Sequence, residues 1–222
     1  METGGQKGSN PGAEITIPGE KGAEKYYVKF EHPESPFQIW QEKLAEDIYR
    51  KLDVPVPETK VVLLTRGATK VYGHASLLIE GESKSEKEIQ SLPSWKKGFI
   101  ADALLANWDI PAAPERNTTV GKDGKVYRID NGGALLFRAR GERKKKDLFG
   151  KKVPEIETTR QRYPGLTKAD IKEQVSLLEK RLSDEEIDSL VEGVRLPKED
   201  REYLKKTLKQ RRDYIIHYFS KY

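Results

Sequence analysis

Short runs of alternating apolar and polar residues dominate the first third of the chain. Residues 14–17 and 25–30 carry β-branched and aromatic side chains on either side of a break rich in Gly, which predicts a β-hairpin. Residues 60–64 and 73–79 have the same character and predict two further strands. Residues 1–13 are polar and rich in Gly, so we expect a loop or tail there.

Apolar residues at helical spacing predict one helix over residues 37–52 and another over residues 94–106. Capping-box patterns predict helices that begin near Thr167 and Ser183. A last helix is predicted over residues 197–218, because a proline opens it and helix-forming residues follow. The C-terminal part of the chain is therefore expected to be helical.

The clearest turn in the chain is the pair Asp123-Gly124, which suits a tight two-residue turn. It separates residues 118–120 from residues 125–129, and the two segments together predict a second β-hairpin. Residues 130–164 lack a regular period and are expected to be rich in loops.

These elements predict an α+β fold in a single domain, for which 222 residues are ample. We expect a small β-rich N-terminal lobe with one helix over residues 1–82. Residues 83–90 would form the connector. Residues 91–222 would form a mostly helical C-terminal lobe that carries the second hairpin.

Composition narrows the classes of function. Apolar residues make up 36% and charged residues 35% of the chain, so we expect a folded protein with a densely charged surface. The chain has no cysteine, which excludes disulfides, thiolate catalysis and cysteine-bound zinc. His32, His74 and His217 are scattered without metal-ligand spacing, and we interpret them as ordinary surface or core residues.

The formal net charge is +5, which either keeps the protein soluble or attracts an acidic partner, a nucleotide or nucleic acid. No apolar run is long enough for a membrane span, and the polar N-terminus does not resemble a signal peptide. We therefore expect a cytoplasmic protein without membrane contact, working as a monomer.

Polar residues follow the predicted elements in an order that suits phosphoryl transfer. Lys29 lies near the end of a strand, and Glu42 lies on the next helix where it can face that lysine. Asp109 follows a buried helix, whereas Asn117 and Asp130 flank the second hairpin. This chemistry needs a cation for the phosphates, oxygen ligands for Mg²⁺ and a carboxylate at the incoming hydroxyl.

The chain resembles the atypical, protein-kinase-like phosphotransferases of bacteria and phages, a group that includes the HipA-like kinases. The resemblance is most specific at residues 101–109 (ADALLANWD) and 127–133 (YRIDNGG), where Asp130-Asn131-Gly132 is similar to the Asp-Phe-Gly element. It implies a bilobal protein-kinase-like fold, ATP and Mg²⁺ as cofactors, and an unknown protein hydroxyl as the acceptor.

The resemblance also implies roles for single residues. Lys29 would contact the nucleotide phosphates, and Glu42 would hold Lys29 by an ion pair. Asp109 would orient the acceptor hydroxyl or accept its proton, and Asn117 and Asp130 would bind Mg²⁺. Three further residues, in the Gly-rich segment before the first hairpin, would cover the phosphates: Gly8, Ser9 and Gly12.

The sequence departs from ordinary protein kinases in several places. Asn107-Trp108 stands where His-Arg is usual, and residues 110–116 lengthen the gap between Asp109 and Asn117. Asn131 replaces the Phe of the metal-binding element, and there is no Ala-Pro-Glu element.

Several alternatives stay open at this point. Lys29 is also typical of an exposed strand edge, Glu46 is a second candidate partner for it, and Trp108 is interpreted as a packing residue. The basic residues 138–146 form either a solvated loop or a segment that attracts an acidic substrate.

Two other functions are weighed. One is a kinase-like module that binds nucleotide with little or no catalysis. The other is a basic nucleic-acid-binding protein that uses residues 138–146 and the C-terminal helix, although no standard motif supports it. A small molecule or a lipid would also serve as the acceptor hydroxyl.

Overall fold

The structure is a computed structural model that describes residues 2–4, 11–19, 22–138, 140–145 and 148–221. Two antiparallel sheets account for its strands. The first sheet has the order β1-β2-β3-β5-β4 and is built from β1 (Glu2–Gly4), β2 (Gly12–Gly19), β3 (Gly22–Phe30), β4 (Thr59–Arg66) and β5 (Thr69–Leu77). The second has the order β6-β7-β8 and is built from β6 (Gly81–Glu82), β7 (Thr118–Gly121) and β8 (Val126–Arg128).

The helices follow the strands along the chain. Helix α1 (Gln38–Lys51) lies between β3 and β4. The others, with one 3₁₀ turn at Arg160–Arg162, are α2 (Glu86–Ser91), α3 (Pro93–Lys96), α4 (Phe99–Leu104), α5 (Asp109–Ala112), α6 (Pro114–Asn117), α7 (Glu155–Thr158), α8 (Lys168–Arg181), α9 (Asp184–Glu192) and α10 (Lys198–Phe219). Among the residues that the structure describes, no helix is both long enough and apolar enough to cross a membrane.

Both predicted hairpins form. In the first, β2 and β3 pair so that Gly12 lies opposite Lys29. Side chains alternate along β3, with Tyr26, Val28 and Phe30 buried in the apolar cluster of the first sheet. Because successive residues of a strand face opposite sides, Lys29 points away from that cluster and toward α1. Strand β1 corrects the predicted tail, since it is held by backbone pairing with β2 and has no apolar period.

Helix α1 begins and ends within a residue of its predicted limits. It is buried on most of its circumference, because it packs against β4 and β5 on one side and against α9 on another. Its apolar residues join the large core of the helical part. Its buried polar residues are four, and they matter for the site: Gln38, Gln41, Glu42 and Glu46.

The helix predicted over residues 94–106 is divided into α3 and α4. Gly98 lies between them, where a Cβ atom would collide with the guanidinium of Arg128. The break therefore makes room for a buried cation, which helical periodicity alone does not indicate. Most of the predicted connector, residues 83–90, belongs to α2 or to its capping box between Ser85 and Glu88.

The cation beside Gly98 belongs to a buried ion pair. Arg128 donates from Nε to Asp102 Oδ1 at 2.9 Å and from Nη2 to Oδ2 at 2.7 Å. The hydroxyl of Tyr49 on α1 donates to the same carboxylate at 2.6 Å, and that of Tyr163 also donates to it. This one carboxylate thus joins α4, β8, α1 and the segment before α8.

The C-terminal end of α4 is capped by a second buried cation, Arg211 of α10. Its Nη2 donates to the carbonyl of Ala103 at 2.7 Å and its Nε to that of Leu104 at 2.8 Å. Nη2 also forms an ion pair with Glu155 at 2.9 Å. The last carbonyls of a helix lack partners within the helix, so Arg211 satisfies two of them.

We predict that Asp102→Asn lowers the free energy of unfolding by about 3–5 kcal/mol, because it leaves the Arg128 guanidinium buried without its counter-charge. Urea unfolding of the variant and wild type measures the difference. Asp213→Asn is the control, since Asp213 is exposed on α10, and we expect it to stay within about 0.5 kcal/mol of wild type. Equal losses for both variants would contradict the role of the buried pair.

Candidate active site

A lysine held between two carboxylates lies at the centre of the candidate site. Lys29 Nζ on β3 is 2.6 Å from Glu42 Oε1 on α1 and 2.8 Å from Asp130 Oδ1 after β8. The Lys29 side chain is 13% exposed and that of Glu42 is 2% exposed, whereas that of Asp130 is 49% exposed. The predicted partner is therefore found, and Asp130 offers its carboxylate to solvent or to a ligand.

The electrostatics of this triad favour its charged state. Burial by itself lowers the pKa of Lys29, but the carboxylates of Asp130 and Glu42 outweigh that effect and raise it above its ordinary value. The Lys29 ammonium in turn lowers the pKa of Asp130. Lys29 is thus a fixed cation and Asp130 a fixed anion at neutral pH.

Polar residues of α1 hold the segment that follows Asp130. Glu42 Oε1 also accepts the backbone N–H of Asn131 at 3.0 Å. Gln38 Nε2 donates to the carbonyl of Gly132 at 3.0 Å, and Gln41 Oε1 accepts the N–H of Leu136 at 3.0 Å. The helix therefore positions both the lysine and the loop, and sequence reasoning found only Glu42 among these contacts.

Glu46, the alternative partner of Lys29, instead pairs with His74. His74 Nε2 lies 2.8 Å from Glu46 Oε2, and both side chains are fully buried. Burial disfavours the charged form of each group, but their mutual attraction prevails, raising the pKa of His74 and lowering that of Glu46. His74 stands opposite Lys29 in the register of β3 and β5.

Glu42, Glu46 and His74 bring their ligand atoms within 4.8 Å of one another, a spacing that a metal ion would accept. Each carboxylate there already bonds to protein donors: Lys29 and the Asn131 N–H for Glu42, and His74 for Glu46. A metal ion at this position would compete with Lys29 for Glu42. These three residues are therefore explained as a buried group that holds Lys29 in place through Glu42.

Asp109 and Asn117 lie side by side, although the gap between them in the sequence is longer than in ordinary protein kinases. Asn117 Nδ2 donates to the backbone carbonyl of Asp109 at 2.8 Å. The intervening residues form α5 and α6, two short helices that bring the chain back to its starting point. Because the amide nitrogen of Asn117 is used in this contact, its oxygen is the atom left to ligate a cation.

The Asp109 carboxylate packs directly against the backbone of Gly133. A Cβ atom at position 133 would collide with Asp109 Oδ2, so any larger residue there would have to displace this carboxylate. The backbone carbonyl of Asn117 accepts the N–H of Ile129 at 2.9 Å, which ties this group to the end of the second hairpin. The structure thus brings together Asp109, Asn117 and the loop that carries Asp130.

A cavity of about 300 Å³ opens above the lysine, between the first sheet and the second hairpin. Its lining includes the charged residues Lys29, Glu42 and Asp130 as well as several apolar side chains. The remaining lining residues are Tyr27, Pro57, His74, Ser76, Leu77, Leu78, Ile79, Arg116, Thr119 and Ile129. Such a lining suits a ligand with an apolar ring and a polyanionic tail.

Of the predicted phosphate-covering residues, Gly12 is described by the structure, and it is not one of the residues that line this cavity. It begins β2 opposite Lys29, and the ring and hydroxyl of Tyr27 lie where a Cβ atom would project from it. The expectations for Gly8 and Ser9 lie outside the described residues.

The basic segment 138–146 is not uniformly solvated. Arg138, Arg140 and Lys145 are exposed, and Arg143 forms a bidentate ion pair with Asp200. Lys144 is only 5% exposed, and it donates to the carbonyls of Ala106 at 2.7 Å and Gly133 at 2.6 Å. Sequence reasoning missed Lys144 because a lysine within a run of cations carries no periodic or spacing signal of burial.

We predict that His74→Gln destabilises the protein by about 3 kcal/mol near pH 6, because Glu46 loses its buried counter-charge. The pKa of His74 is raised above 6.5 by folding, so its contribution to stability is complete below pH 6.5 and is lost as pH rises through the folded pKa. The gap between variant and wild type should therefore narrow at high pH.

Urea unfolding over a range of pH measures this gap. His217→Gln replaces an exposed histidine of α10 and serves as the matched control. A gap for His74→Gln that is as small as that of the control, or that does not change with pH, would contradict a charged His74–Glu46 pair.

Comparisons with known proteins identify the fold that carries this site. No protein-family model matches the chain, and no curated protein sequence matches it. Among solved structures, the crystal structure of a Helicobacter pylori proinflammatory kinase, CtkA, is similar with a TM-score of 0.59 and 16% sequence identity. The similarity covers 98% of this chain and 94% of that one. The fold is therefore the bilobal, kinase-like α+β fold that the sequence predicted.

Proposed function

We propose that this protein is an ATP- and Mg²⁺-dependent phosphotransferase that phosphorylates a protein hydroxyl. The observation that carries the proposal is the pairing of Lys29 with both Glu42 and Asp130 in the lining of the cavity. The kinase-like fold supports it, since the similar Helicobacter pylori chain is described as a kinase.

In this proposal Lys29 binds the nucleotide phosphates. Its ammonium is held by Glu42 from α1, so its position is set before any ligand arrives. A fixed cation gains more from a polyanion than a mobile surface lysine does, because it loses no side-chain freedom on binding. We assign Gly12, together with Gly8 and Ser9, to the segment that covers the phosphates.

Asp130 and Asn117 are the proposed Mg²⁺ ligands. Mg²⁺ is bound by oxygen and usually takes one or two carboxylates together with phosphate oxygens and water. Asp130 supplies a half-exposed carboxylate, and Asn117 has its amide oxygen left for a cation. The donor set therefore fits the ion, which when bound would offset the negative charge of the phosphates.

Asp109 is the proposed catalytic residue. Its carboxylate orients the acceptor hydroxyl and accepts its proton. Gly133 borders that carboxylate, and Asn117 binds the backbone carbonyl of the same residue. The apolar residues of the cavity lining, among them Leu77 and Ile129, would contact the base of the nucleotide. We further propose that the chain acts as a cytoplasmic monomer and is related to the HipA-like kinases.

The cations of the C-terminal helix offer little support for nucleic-acid binding. Lys205 pairs with Glu192 of α9, Lys209 with Asp188 and Arg212 with Asp184. Phosphate contacts would have to displace these ion pairs, which weakens the counterion-release term that drives such binding.

We predict that Mg²⁺ and ATP together stabilise wild type against thermal unfolding, by about 2.7 kcal/mol at a hundredfold excess over Kd. Asp130→Asn should lose most of this shift, because it replaces the proposed carboxylate ligand of Mg²⁺ by a neutral amide. Asp213→Asn should keep it. No Mg²⁺-dependent shift in wild type would rule out ATP as the ligand of the cavity.

We predict that Asp109→Asn lowers kcat by about 10²–10⁴-fold while the Mg²⁺–ATP thermal shift persists, because the residue acts on the acceptor hydroxyl and not on the nucleotide. Release of labelled γ-phosphate from ATP, to water or to the protein itself, measures turnover. Binding in wild type without any turnover would favour the nucleotide-binding module with little catalysis.

A further inference from the structure

Lys144 joins two loops of the proposed catalytic centre. Its ammonium donates to the carbonyl of Ala106, just before Asp109, and to that of Gly133, just after the metal-binding element. The ring of Trp108 lies 4.4 Å from the same nitrogen, so a cation–π contact covers its remaining side. A lysine so placed is buried inside the site and does not serve as a surface charge.

The segment that Lys144 binds contains a residue in an unfavourable backbone conformation. Ala106 has φ of 49°, in the left-handed region that costs a non-Gly residue about 1–2 kcal/mol. Its neighbour Leu105 is held there as well, because its carbonyl accepts the N–H of Leu135 at 2.8 Å. The strained turn directs the chain from α4 to Asp109, and Lys144 binds its carbonyl.

The second carbonyl that the Lys144 ammonium binds belongs to Gly133, whose backbone packs against Asp109. The same cation therefore sets the backbone that leads to Asp109 and the backbone that borders its side chain.

The charged groups that face Lys144 come from several elements. Burial lowers its pKa to about 7, the carboxylates of Asp109 and Glu155 oppose that effect, and the guanidiniums of Arg211 and Arg138 add to it. A neutral amine keeps two N–H donors, enough for both carbonyls. Loss of the proton therefore removes the charge beside Asp109 without removing the bridge.

We propose that Lys144 is a positioning residue for phosphoryl transfer, which acts through Asp109 by bridging Ala106 to Gly133 and by placing a positive charge beside the carboxylate. This rests on the proposed function. It adds a residue that the kinase-like pattern in the sequence does not contain.

The first test is Lys144→Met, with Lys145→Met as the matched control at the adjacent exposed lysine. We expect kcat for γ-phosphate release to fall about 100-fold in Lys144→Met, since displacement of a reacting group by about 1 Å has that effect. KM for ATP and the Mg²⁺–ATP thermal shift should stay as in wild type. Equal kcat values in Lys144→Met, Lys145→Met and wild type would overturn the proposal.

If Lys144→Met does not fold, Lys144→Arg and the pH profile decide. Wild-type kcat should fall as pH rises through about 7, where the pKa of Lys144 lies, whereas a guanidinium stays charged and the fall should be absent from Lys144→Arg. Superimposable profiles would overturn the proposal. A wild type without turnover would instead refute the proposed function, and the role of Lys144 with it.

Discussion

The carboxylate of Asp102 is the constraint on which the two halves of the site depend. It accepts hydrogen bonds from Arg128 and from the hydroxyls of Tyr49 and Tyr163. Arg128 ends β8 just before Asp130, and Tyr49 also accepts a hydrogen bond from Asn107, just before Asp109. The carboxylates of Asp130 and Asp109 are therefore placed relative to one buried anion, and neither position is set by local backbone preference alone.

Three arginine and lysine side chains are buried in this fold. Arg128, Arg211 and Lys144 are each almost completely inaccessible, and each is matched by carboxylates or backbone carbonyls. Desolvating such groups is costly, so replacing them with apolar residues need not destabilise a protein. Their placement around α4 and the segment after it indicates that they define one geometry for the site.

The sequence predicted those features that leave a periodic or ordered signal. The first hairpin and α1 follow from alternation and helical spacing, and the second hairpin follows from its Asp-Gly turn. The contact of Lys29 with Glu42 was predicted from the order of these residues along the chain. The break at Gly98 and the burial of Lys144 were not predicted, because each depends on a distant partner. Strand β1 was missed for a related reason, since backbone pairing with β2 holds it.

The two short helices between Asp109 and Asn117 have a consequence for how such proteins diverge. Helix α5 begins at Asp109 and α6 ends at Asn117, whose side chain binds the backbone carbonyl of Asp109. The position of Asn117 is therefore set by that contact and not by the number of residues between Asp109 and Asn117. Insertions and deletions between Asp109 and Asn117 would be tolerated as long as this hydrogen bond still forms. A motif written with a fixed gap would then overlook chains that share the same site, whereas their geometry in space would still identify them.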